Sequence, residues 1–82
     1  MDIETGDPVV VVNAKGMQQY GLADGDIGWA NSVIQIPEDD DYVMFMKEGQ
    51  KSILVLSATR LEVNQELKDA GIELDKDTIA GT

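Results

Sequence analysis

The chain reads as one small all-β domain. Two features of the sequence predict this: short runs of β-branched and aromatic residues separated by glycine, proline and aspartate, and no sustained helical period before residue 64. At 82 residues the chain supports one domain that buries only about 60 to 65% of its extended surface. The expected architecture is a small five-stranded β-barrel with a short C-terminal helix or tail. Expected boundaries are a flexible lead-in over 1–5, the barrel over 6–64, and the helix and tail over 65–82.

Gly6-Asp7-Pro8 opens the first strand, and Val9-Val10-Val11-Val12 is a β-branched run of the kind found in a strand buried on both faces or at a barrel closure. Residues 13–25 hold Gly16, Gly21 and Gly25 without an apolar period, which predicts a long loop with a short helical turn near Met17 to Tyr20. From Asp26 to Ile36 the chain reads as a second strand, in which Val33 and Gln35 alternate with Ile34 and Ile36. Gly28 sits where that strand must bend or admit another backbone. Pro37 ends it. Glu38 to Asp41 forms a turn, Tyr42 to Met46 a third strand, Lys47 to Gln50 a hairpin connection and Ser52 to Leu56 a fourth strand. A tight turn over Ser57 to Leu61 leads to a brief fifth strand, Glu62 to Asn64, that closes back on the first. Asn64 is placed to cap a short helix, Gln65 to Ala70, with Gly71 at its stop. Ile72, Leu74 and Ile79 are candidates to dock on the barrel.

Composition narrows the chemistry. With no Cys and no His, the chain has no disulfide framework, no thiolate metal site, no Cys nucleophile and no imidazole base. No cofactor motif is present: residues 21–28 contain neither GxGxxG nor GxxxxGK, and their aspartates oppose a phosphate. The expectation is a protein that is not an enzyme and carries no cofactor. The opening MDIETGD lacks the basic and apolar regions of a secretory signal, and no apolar run approaches the ~20 residues that cross a bilayer. A cytoplasmic location, or a particle assembled in the cytoplasm, is expected.

Sixteen acidic residues against six basic ones set the net charge at -10. That charge repels nucleic acid and anionic membranes, so neither is an expected partner. Most of it lies early. Residues 1–46 carry nine acids and only Lys15, a net of -8, whereas residues 47–82 carry seven acids and five bases, a net of -2. Asp24, Asp26, Glu38, Asp39, Asp40 and Asp41 form the candidate acidic contact surface. Their spacing matches no EF-hand loop, so a solvated acidic surface is expected rather than a calcium site.

Trp29, the only Trp, has two readings. In one, Gly25 and Gly28 let the chain turn tightly while the indole covers the open end of the barrel. In the other it is a partly exposed anchor for a partner. The third strand offers two faces, Val43 with Phe45 and Tyr42 with Met44 and Met46. One belongs to the core. The other, if left uncovered, is a Met-rich contact surface that a partner or a second copy would cover.

Three segments carry a resemblance: Gly6-Asp7-Pro8-Val9-Val10-Val11, Asp24-Gly25-Asp26-Ile27-Gly28 and Ala58-Thr59-Arg60-Leu61-Glu62-Val63. Together they resemble the pattern of SH3-like small barrels of the KOW type and of the photosystem I subunit IV type, over residues 6–64. The resemblance implies an interaction scaffold. KOW-type barrels often contact nucleic acid or the transcription and translation machinery through basic or aromatic loops, where this chain has Asp24, Asp26 and Asp39 to Asp41. The photosystem subunit docks on a larger assembly but is usually more basic.

The function expected from the sequence is a non-enzymatic protein-protein interaction or assembly module, an accessory subunit or small viral protein that binds a larger, basic protein. Two alternatives stand beside it. One is an acidic nucleic-acid mimic that inhibits a DNA- or RNA-handling protein. The other is a structural particle component that acts as a homo-oligomer.

Overall fold

A computed structural model describes residues 3–71. Five strands form one antiparallel sheet: β1 (Pro8–Val11), β2 (Ile27–Ile34), β3 (Tyr42–Lys47), β4 (Ile53–Ser57) and β5 (Leu61–Val63). Their spatial order is β4-β3-β2-β1-β5, so the chain meanders through β1 to β4 and returns to lay β5 against β1. One short helix, α1 (Gln65–Asp69), follows. Class, strand number and terminal helix are those expected from the sequence. Closure differs. The ladder stays open between β4 and β5, because a 3₁₀ turn over Ala58–Arg60 carries the chain off the end of β4 and across to β1.

Pro8 stands first in β1, where a missing N–H is tolerated. The valine run then alternates: Val9 and Val11 are buried, while Val12 is exposed. Their partners complete one layer. Val9 lies between Gly28 of β2 and Val63 of β5, and Val11 faces Leu61. From the other half of the sheet Ala30, Val43, Phe45 and Leu56 point to the same interior. Fully burying a residue such as Phe45, Leu56 or Leu61 contributes roughly 1.5 to 3 kcal/mol.

Gly28 is required by that packing. A Cβ there would collide with the Met46 carbonyl oxygen and come 2.6 Å from the Phe45 ring. The phenyl ring therefore lies where any other residue would carry its side chain. Further along β2 the register shifts between Ala30 and Ser32, leaving Asn31 in a β-bulge. The bulge exchanges the two faces. Ala30 points inward before it and Val33 packs on the core after it, so Ile34 and Ile36 are exposed.

The long connection from β1 to β2 is packed rather than loose. It contains a 3₁₀ turn over Gln18–Tyr20, and it inserts Ala14 and Leu22, each 2% exposed, into the core. Residues 3–5, expected as a flexible lead-in, also belong to the packed structure. Ile3 joins the core cluster, and a turn tied by the Asp7 amide on the Glu4 carbonyl at 3.0 Å, with the Gly6 amide on the Ala30 carbonyl at 2.7 Å, holds the segment against β2. The apolar side chain at position 3 supplies the reason.

At the other terminus the Asn64 side chain accepts from the Leu67 amide at 3.3 Å, capping α1, and Gly71 adopts φ 77 at its stop. Ile72, Leu74 and Ile79 lie outside the described residues. Among the described residues, no helix is long and apolar enough to cross a membrane.

Candidate interaction surface

The acidic residues serve two different purposes. Asp24 and Asp26 bind their own loop: an Asp24 oxygen accepts from the Ala14 amide at 2.7 Å, and an Asp26 oxygen accepts from the Ala23 amide at 2.8 Å. Lys47 of β3 lies 3.1 Å from Asp26 and donates to the Gly21 carbonyl at 3.1 Å, clamping the loop to the sheet. These carboxylates hold the fold locally. Glu38, Asp39 and Asp40 are exposed and Asp41 half-buried, all in the connection from β2 to β3.

The two groups do not share one end of the molecule. Lys47, beside Asp26, pairs with Gly28 at one end of the β2–β3 ladder, and Tyr42, next to Asp41, pairs with Ile34 at the other. About 17 Å of strand separates them, at roughly 3.3 Å per residue. A single field of six charges on neighbouring loops is therefore replaced by two separate sets, because antiparallel connections alternate ends. Among the described residues, no three carboxylates are grouped as a metal would require, and the surface holds no pocket.

Trp29 also differs from its structural reading. Its neighbours Gly28 and Ala30 face the core, so the indole lies on the opposite face of the sheet, between Pro8 of β1 and Met46 of β3. Gly25 does make the turn before it, with φ 89. The indole Nε1 is buried without an acceptor among the described residues, and so is the Asn31 side-chain oxygen without a donor.

Trp29 belongs to a continuous outer face. The register sets three rows across β2, β3 and β4: Trp29, Met46 and Ile53; Ser32, Met44 and Val55; Ile34, Tyr42 and Ser57. Seven of these nine positions are apolar or aromatic, which makes a patch rather than scattered residues. The exposed members are Ile34 at 42%, Ile53 at 39% and Val55 at 56%. Glu38 to Asp41 border the patch at the end where Ile34 pairs with Tyr42.

Three further residues hold the fold through side-chain contacts that the sequence did not announce. Asp7 is buried, accepts from the Glu4 amide at 2.9 Å and meets Lys68 of α1 at 3.4 Å. Arg60 donates to the carbonyls of Asn13 and Lys15 at 3.1 and 2.8 Å. Partners this distant in sequence leave no local pattern. No protein-family model, curated protein or solved structure matches this chain.

Proposed function

We propose that the protein is an interaction module that docks on a larger protein through the outer face of β2, β3 and β4. The observation that supports this reading is the exposure of Ile34, Ile53 and Val55 in one patch with Tyr42, Met44 and Met46, away from a core the chain has already completed. Methionines adapt to varied partner shapes, and an apolar patch of this kind gains from being covered. The acidic connection at its margin favours a partner with a basic rim, and it acts on encounter rate more than on final affinity.

The test is capture by the immobilised chain from a lysate of its source cells, with identification of the bound protein. Ile34→Lys should abolish that capture while thermal unfolding stays within about 0.5 kcal/mol of the parent chain. Ala23→Lys, on the exposed β1–β2 connection, should leave capture intact. Equal capture by the parent and Ile34→Lys would overturn the assignment of this face.

A further inference from the structure

We propose that β4 is a self-pairing edge: it adds in antiparallel, two-fold fashion to β4 of a second copy of this chain, joining two five-stranded sheets into one. The inference does not rest on the docking surface proposed above, since it concerns backbone groups at the sheet edge.

The backbone parity of β4 follows from one hydrogen bond. The Ala58 amide donates to the Asp41 carbonyl at 2.8 Å, and the register pairs Val43 with Leu56 and Phe45 with Leu54. Bonded pairs alternate along an antiparallel ladder. Leu54 and Leu56 thus turn their backbone groups toward β3, as Ala58 does with its amide, and Ile53, Val55 and Ser57 turn theirs outward. Among the described residues, no strand pairs with that side of β4, although the Ser57 carbonyl also accepts the first bond of the 3₁₀ turn over Ala58–Arg60.

Exposed edges are normally guarded by a charge, a proline, a bulge or brevity. The other edge of this sheet is guarded, because β5 has three residues and runs directly into the cap of α1. Strand β4 is five residues, ILVLS, with no charge and no proline, and the bulge of this sheet lies in β2. An edge without any of these devices is open to a partner strand.

A second copy fits because the outward residues are symmetric about Val55. Centring the two-fold there pairs Ile53 with Ser57 of the second copy, Val55 with its own equivalent, and Ser57 with Ile53. Val55 then exchanges two hydrogen bonds with its own equivalent, and each Ser57 amide donates to the other copy's Ile53 carbonyl, while the Ser57 carbonyl is shared with the 3₁₀ turn. The same register brings Lys51 of each copy to the end of the other copy's β4 that pairs with Tyr42, beside Asp40 and Asp41. Residues 47–60 carry Lys47, Lys51 and Arg60 against Glu48 alone, so the edge strand and its flanks add no net negative charge to a contact between two copies of a -10 chain. An exposed pair of this kind adds little when formed, whereas a like charge put in the place of Lys51 opposes this register directly.

Sedimentation equilibrium of the full chain from about 1 μM to 1 mM tests the proposal. The expected mass at the upper end is twice the 8.9 kDa of one chain. Val55→Pro removes an N–H that β3 does not use and places a ring at the new interface, so it should raise the dimer Kd roughly tenfold or more. Lys51→Glu should also weaken the dimer, and adding Asp40→Lys with Asp41→Lys to it should restore the parent Kd. Should thermal unfolding show that Val55→Pro is not folded, the charge-swap series decides alone. A mass of 8.9 kDa throughout the range overturns the proposal. So does a dimer whose Kd is indifferent to Lys51→Glu, since the Val55-centred register would then be wrong.

Discussion

Two glycines close in sequence are required for different reasons. Gly25 adopts φ 89 with open space where a Cβ would go, so a substitution meets only backbone strain, of order 1 to 2 kcal/mol. Gly28 has no need of positive φ but lies against the Phe45 ring and the Met46 carbonyl, and neither can retreat within a bonded ladder. Gly28→Ala should therefore destabilise the protein more than Gly25→Ala, by about 3 kcal/mol or more, as measured by urea unfolding. Equal midpoints would show that the ring can move aside. Glu38 presents the opposite case, a non-glycine residue at φ 66. With Pro37 before it and the Asp39 amide on the Ile36 carbonyl at 3.2 Å, it occupies the third position of a type II turn, which favours glycine. Glu38→Gly should stabilise by roughly 0.5 to 1 kcal/mol, the left-handed strain relieved less the added freedom of the unfolded chain. A lower melting temperature for this variant would show that the Glu38 side chain makes a contact worth more than the strain.

The long β1–β2 connection is held by single side chains reaching in from other elements. Arg60, at the end of the 3₁₀ turn before β5, holds the carbonyls of Asn13 and Lys15, while its own carbonyl accepts the amides of Val12 and Asn13 at 2.8 and 3.3 Å. Lys47 and Asp24 secure the remainder. Arg60→Met keeps the aliphatic stem and removes the charged donor, so it should lower stability by about 1 to 2 kcal/mol. Amide exchange at residues 14–17 should quicken along with it. Unchanged exchange there would mean that Ala14 and Leu22, buried beneath the loop, hold it unaided. The glycines marked this segment as a loop in the sequence, but nothing in it announced Arg60, forty-five positions from Lys15.

Charge acts on the molecule as a whole. A net of -10 on a chain of 82 residues makes the folded state self-repelling, and the Asp26–Lys47 and Asp7–Lys68 pairs offset only part of it. Melting temperature should rise as sodium chloride is raised from about 0.01 to 0.5 M, because the screening length falls from roughly 30 Å to a few ångströms. A falling melting temperature would mean that the ion pairs outweigh the repulsion. The separation of the two acidic sets belongs to this scale too. Glu38 to Asp41 stand apart from Asp24 and Asp26, so neutralising Asp39, Asp40 and Asp41 removes the acidic margin of the apolar face without disturbing the bonded loop.

Strand positions, turn chemistry and the helix cap were determined by the sequence itself, since they rest on interactions within a few residues. Valine runs favour extended backbone, glycine and Pro37 end it, and Asn64 caps the turn that follows it. The split of β3 into Val43 with Phe45 against Tyr42, Met44 and Met46 was legible for the same reason, a period of two. Which face of β2 turns inward was not. That depends on the bulge at Asn31, which exists only because β3 is paired beside it, and one extra residue exchanges the faces of everything after it. Tertiary structure alone also decided that Trp29 lies on the outer face of the sheet, that Asp24 and Asp26 bind the β1–β2 loop while Glu38 to Asp41 stand apart from it, and that β4 ends the sheet with no strand beside it among the described residues. Each of these is a relation between segments distant in the chain, and a local pattern carries no record of what the fold will bring beside it.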